Sequence, residues 1–221
     1  MYPSLLNMYS KTKWIQLYMR GMYKLYNDEV TWQGLLYGLQ WNEPVIHAGG
    51  KTALELKGLA HYIKPRETKV YIYSNRNVNF NLWLKKFEHL VLKRTEVFDY
   101  NNKNLFTDFN TGSFEIRISA PELAFMEMLY LIPAEQEFNE AFQIMEGLSS
   151  LRPKLVQSLL ENCSSIKIKR LFLYMAEKAG HEWFYKLDKY SIDLGSGKRM
   201  IVKEGVLNKT YSITVPKSYE E

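Results

Sequence analysis

The clearest patterned segment of the 221-residue chain is FEIRIS, where Phe114, Ile116 and Ile118 alternate with Glu115, Arg117 and Ser119. A period of two predicts a strand with one buried face. KVYIYS is a run of β-branched and aromatic residues and predicts a second, more buried strand. HLVLKRTEVF predicts one or two more, whereas polar NNKNLFTDFNTGS reads mostly as loop. At the front, WIQLYMRGMYKLY predicts two short strands turning at Arg20-Gly21.

Between these strands the period lengthens. TWQGLLYGLQW places Leu35, Leu36 and Leu39 on one helical side behind a capping Thr31. APELAFMEMLYLIP predicts a helix with Pro121 in its first turn. Further helices are expected over 137–147, where Gly147 is the stop, and over RPKLVQSLLENC, with an apolar stripe of Leu155, Val156, Leu159 and Leu160. IKIKRLFLYMAEKAGHEWFYKL predicts one or two more, broken near Gly180. VNFNLWLKKF suggests a short one. The tail from Ser191 reverts to short strands between glycine turns. The sum is a mixed α/β protein with a helical middle and a β-rich C-terminal segment. A weak boundary falls near residue 30, and no linker is seen from there to residue 218.

Composition changes this picture little. Apolar residues make up 46% of the chain, enough for a substantial core, and 14% are aromatic. A net charge of +5 allows a nucleic-acid partner without requiring one. No run approaches the roughly 20 apolar residues of a membrane span, so no membrane partner is expected. MYPSLLNMY has neither the basic start nor the apolar core of a secretory signal. Cys163 stands alone, which excludes an internal disulfide and fits a reducing, cytoplasmic setting.

The stretch VIHAGGKTALELKG raises the question of a phosphate-binding loop. The full signature needs a first glycine five residues before Gly50, where Val45 stands. A β-branched residue does not readily supply that turn. The preceding GLQWNEP is polar rather than a buried strand. The alternative is a glycine turn followed by a helix ending near Lys64-Pro65, with Thr52 and Glu55 at capping-box spacing. His47, His61, His89 and His181 show no metal-ligand spacing. No cofactor is expected. Asp99, Glu115 and Arg117 permit a divergent metal-dependent nuclease if the carboxylates converge. Three sets of basic residues are candidates for a phosphate or partner surface: Arg152 and Lys154, then Lys167, Lys169 and Arg170, then Lys198 and Arg199. Lys167 and Arg170 are three apart and could share a helix face, with Lys169 pointing elsewhere.

PVIHAGGKTALELKGLAHYI, ISAPELAFMEML, the long block from Met145 to Asp188, and IDLGSGKRMIVKEGVLNKTYSITVP together resemble the AbiEi antitoxin family of type IV toxin–antitoxin systems. The resemblance spans about residues 31 to 216. It implies a nonenzymatic cytoplasmic regulator that protects against a nucleotidyltransferase toxin without forming a stable complex with it. It also implies an N-terminal winged-helix domain that binds DNA. KTKWIQLYMRGMYKLYN resembles only the end of such a domain. Residues 1–29 are therefore expected to be a wing remnant, and residues 30–221 the antitoxin domain. The competing readings are a module that binds a DNA or RNA backbone without antitoxin activity, and the nuclease.

Overall fold

A computed structural model describes residues 3–19, 21–42, 45–60, 69–75 and 87–219. Among them are seven α-helices and ten strands in three sheets, a mixed α/β architecture. The hairpin predicted at the front is present as β1 (Ile15–Met19) and β2 (Met22–Leu25), paired antiparallel around Gly21 at φ 80°. A helix that the pattern did not announce precedes it, α1 (Pro3–Lys11). Its Leu5, Met8 and Tyr9 stand at the helical spacing of three and four on one face, and all three remain exposed.

Thr31 caps α2 (Trp32–Asn42) as expected, its Oγ1 accepting the Gly34 N–H at 3.1 Å. Leu35 and Leu36 are fully buried beneath it. The central sheet follows, in the order β5-β4-β3-β7-β6. Its strands are β3 (His47–Ala48), β4 (Val70–Ser74), β5 (Leu90–Arg94), β6 (Phe106–Asn110) and β7 (Glu115–Ser119). β3 runs antiparallel to β4 and parallel to β7, so this two-residue strand joins the parallel β4/β5 pair to the antiparallel β6/β7 pair. The segment expected to be loop therefore contains β6. It is an edge strand held by β7, with Asp108 and Asn110 exposed, and FTDFN lacks the period of two, which is why the letters alone read as loop.

α3 (Gly50–Leu56) and α4 (Pro121–Tyr130) pack side by side. α4 is buried from Glu122 through Leu129, on all sides rather than along one stripe. It touches α5 (Phe138–Gly147), α6 (Pro153–Asn162) and α7 (Ile166–Ala179) and is the axis of the helical half. α7 ends at Gly180, left-handed at φ 70°, where a side chain would be strained. In the tail, β10 (Ile213–Val215) lies between parallel β8 (Arg199–Met200) and antiparallel β9 (Val206–Asn208). The helix expected over VNFNLWLKKF falls almost wholly on residues outside the described ones. The helix after the glycine turn was expected to run to near Lys64 but ends at Leu56, where the chain turns through Lys57 and Gly58, left-handed at φ 75°. No described helix is long and apolar enough to cross a membrane.

Candidate functional site

The glycine-lysine-threonine stretch is a packing junction. α3 begins at Gly50, two residues before Thr52, so Thr52 does not cap it. The Thr52 hydroxyl is buried and accepts the Tyr71 N–H at 2.9 Å, tying the helix to β4. The group at the helix start is Glu127 of α4. Its Oε2 accepts the Gly50 N–H at 2.9 Å and the Ser119 hydroxyl at 2.7 Å, and its Oε1 lies 2.8 Å from His47 Nε2. His47 Nδ1 is 2.8 Å from the Val45 carbonyl, so both ring nitrogens face oxygens. The place a phosphate would take at this helix end thus already holds a carboxylate. Lys51 pairs with Glu140 and, at 3.8 Å, with Glu55. His47 and Glu127 are fully buried, and their hydrogen bonds make them a structural junction between α3, α4 and the central sheet.

The other chemistry-bearing residues also have structural occupations. His181 Nε2 lies 2.6 Å from the Met145 carbonyl, and burial pushes the Cys163 thiol up to about 11. No group of three or more potential metal-ligating side chains occurs among the described residues. Asp99 and Glu115 line different clefts, Asp99 beside Asn102 and Asn162, and Glu115 beside Tyr37 and Trp41. The carboxylate convergence that a metal-dependent nuclease needs is absent from this pair.

The basic candidates divide by exposure. Arg170 is 2% exposed, with Nε donating to Leu194 O, Nη2 to Gly195 O, and Nη1 to Gly197 O and Ser212 O. It fastens α7 to the tail. Burial, and then the nearby positive Arg199, lower its pKa. Lys169 is buried as well. Lys167 Nζ reaches Tyr130 O at 2.7 Å and Ile132 O at 2.6 Å, at the carbonyl end of α4, and burial lowers its pKa. Lys198 and Arg199 are exposed on the turn that Arg170 braces. Packing therefore brings Arg170 of the second set against the Lys198-Arg199 turn, while Lys167 is held, half-buried, at the end of α4, and the side chains of the turn are exposed.

Arg152 and Lys154 line a groove of about 960 Å³ along the start of α6. Arg152 is fixed there by Glu122 of α4. The Glu122 carboxylate accepts the Arg152 N–H at 2.8 Å, Nε at 2.9 Å and Nη2 at 2.9 Å. Burial pushes the Glu122 carboxyl up, but the hydrogen bonds and charge of Arg152 outweigh it and hold the pKa below its usual value. The far wall is the loop after α7, with Lys186 and Asp188. Gln157 clamps that wall to α6, since its Nε2 donates to Asp188 O at 3.0 Å and its Oε1 accepts the Asp188 N–H at 3.0 Å. Asn102 and Asn104 complete the groove from the turn before β6. Lys186, Asn102 and Asn104 escape sequence reasoning because no motif joins them. They meet only when three separate segments pack.

Comparison with known proteins places the chain among the AbiEi antitoxin regulators. Residues 67–216 match the family described as transcriptional regulator, AbiEi antitoxin, type IV TA system, and residues 3–65 match the AbiEi antitoxin N-terminal domain. The chain belongs to the AbiEi antitoxin family. The expectation of a truncated N-terminal region is corrected by the second match, which runs far past residue 29 to residue 65. The two matched segments share one sheet, with β3 from the first lying between β4 and β7 from the second. That is why no linker was visible near residue 65. The crystal structure of the Rv2827c protein from Mycobacterium tuberculosis has the same fold, with a TM-score of 0.66 at 11% identity, over 95% of this chain and 78% of that one. No curated protein matches the chain.

Proposed function

We propose that this protein is a type IV antitoxin that suppresses a partner nucleotidyltransferase toxin, as well as a regulator that contacts DNA through its N-terminal segment. The observation that carries this reading is the match to both the N-terminal and the antitoxin parts of the family, at residues 3–65 and 67–216. Protection proceeds without a stable antitoxin–toxin complex, as the family resemblance implies. The N-terminal 27 residues support the nucleic-acid part. They carry Lys11, Lys13, Arg20 and Lys24 and no acidic residue, and the β1–β2 hairpin is the wing-like element among them. The protein acts in the cytoplasm and is not an enzyme.

The test is co-expression. Growth is compared in cells carrying the toxin gene alone, the antitoxin gene alone, and both. The toxin alone should arrest growth and the pair should restore it. Arrest that persists at matched protein levels would remove the antitoxin reading. For the regulatory part, binding to the protein's own promoter is compared with shuffled DNA at about 150 mM salt. A preference of about 1,000-fold or more is expected of a specific regulator, and equal weak binding would reduce the N-terminal segment to a nonspecific backbone contact.

A further inference from the structure

The α6 groove gathers cations, side-chain amides and apolar residues in one place. Its volume of about 960 Å³ falls in the range of small-molecule sites, about 300–1,000 Å³. Its cations differ in their commitments. Nε and Nη2 of Arg152 are held by Glu122, which fixes the guanidinium plane, while Nη1 has no partner among the described residues. The ammonium groups of Lys154 and Lys186 likewise have none. The groove is also supplied with amides. Asn102 uses its carbonyl oxygen to accept the Asn104 N–H at 3.0 Å, leaving its own NH₂ and the Asn104 side chain available to a ligand. Asp188, whose Oδ1 accepts the Tyr190 N–H at 3.1 Å, offsets one of the three lining cations, Arg152, Lys154 and Lys186, and the lining stays positive. The floor is apolar where Pro153 and Leu155 line it.

Two free ammonium groups and an oriented guanidinium suit phosphate oxygens. Side-chain amides beside an apolar floor suit the edge and face of a base. We propose that this groove binds the phosphate of a nucleotide, with Lys154, Lys186 and Arg152 on the phosphate and Asn102 and Asn104 toward the base. The same chemistry could arrive as a free nucleotide or as the terminal nucleotide of an RNA. The inference concerns direct binding and stands apart from toxin suppression, so a failure of either leaves the other to be judged by its own assay.

The test is calorimetric titration of the purified full chain with ATP, CTP, inorganic pyrophosphate and a short 5′-phosphorylated RNA, at about 150 mM salt. Three variants accompany it. Lys154→Ala/Lys186→Ala removes the two free groove charges. Lys203→Ala/Lys209→Ala removes two exposed charges elsewhere. Lys51→Ala removes the lysine of the glycine turn. At least one nucleotide-bearing probe should bind, and the groove variant should weaken it by about tenfold or more, the scale of a lost charged hydrogen bond. The other two variants should bind as wild type does. Binding of the RNA but not the mononucleotides assigns the site to an RNA end, and the reverse assigns it to a free nucleotide. Equal loss in the groove and control variants, pyrophosphate binding as tight as any nucleotide, or no binding by any probe would overturn the proposal. Thermal unfolding shows whether each variant is folded. If the alanine pair were unstable, Lys154→Gln/Lys186→Gln, which retains the stems, replaces it with the same expected loss.

Discussion

His47 and Glu127 are 80 residues apart in the chain, and they meet in the core with Nε2 2.8 Å from Oε1. One lies on a two-residue strand and the other inside the most buried helix, and neither is exposed. Together with Gly50 and Ser119 they lock the start of α3 against α4. This junction joins the segment matched by the N-terminal domain to the segment matched by the antitoxin domain.

Replacing Glu127 by alanine would leave the Gly50 N–H, the Ser119 hydroxyl and the His47 ring without their acceptor in a dry interior. The expected loss is about 3–5 kcal/mol, the range for breaking one side of a buried pair. Urea unfolding followed by circular dichroism measures it. A loss under about 1 kcal/mol would show that the cluster is not needed for stability.

Gly49 and Gly147 should respond oppositely to alanine. A Cβ on Gly49 would collide with Glu127 Oε2 and lie 2.6 Å from Tyr73 Cδ2, whereas one on exposed Gly147 meets nothing within 4 Å. Gly49→Ala is expected to cost about 1–3 kcal/mol through overpacking. Gly147→Ala, at the last position of α5, is expected to be neutral or to stabilise by up to about 1 kcal/mol. Paired thermal melts decide the order, and an equal response would refute the packing account.

Charge reversal separates braced from presented cations. Arg170→Glu would set a buried carboxylate against four carbonyl oxygens and is expected to cost more than about 4 kcal/mol. Lys198→Glu/Arg199→Glu lies on the exposed turn and should stay within about 1 kcal/mol of wild type. Because the second pair is expected to fold, it is the variant to co-express with the toxin. A folded Lys198→Glu/Arg199→Glu protein that protects as well as wild type rules out an essential role for this turn.

The Glu122–Arg152 pair gives a pH dependence with a definite sign. The folded pKa of Glu122 is lowered, so its contribution is fully present above the unfolded carboxylate value of about 4.3 and is lost as pH falls through the lower folded value. Arg152→Ala leaves burial, which pushes the carboxyl up, opposed only by the main-chain N–H groups of position 152 and of Glu122 itself. Acid unfolding of this variant, followed by tryptophan fluorescence, should therefore begin at higher pH than in wild type. Superimposable acid profiles would show that Glu122 does not depend on Arg152.

Much of the secondary structure was legible from residue spacing. Ile116 and Ile118 alternate with polar neighbours because one face of β7 is buried. Pro121 and Pro153 mark helix starts because they lack an N–H that the first turn cannot use. The family was legible too, because long stretches of its characteristic residues survive in the letters. The role of each charge was not. Lys167 and Arg170 read as a surface pair by their spacing of three. A local period states which residues share a helix side but not what that side packs against, and here one meets the carbonyl end of α4 and the other the carbonyls of the tail turn. Thr52 likewise had the spacing of a cap, yet its hydroxyl serves a neighbouring strand while a carboxylate 77 residues away holds the helix start. The α6 groove belongs wholly to the tertiary structure. Asn102, Arg152 and Lys186 lie on three separate segments, and only the packing of the turn before β6 and of the segment after α7 against α6 brings their side chains to one surface.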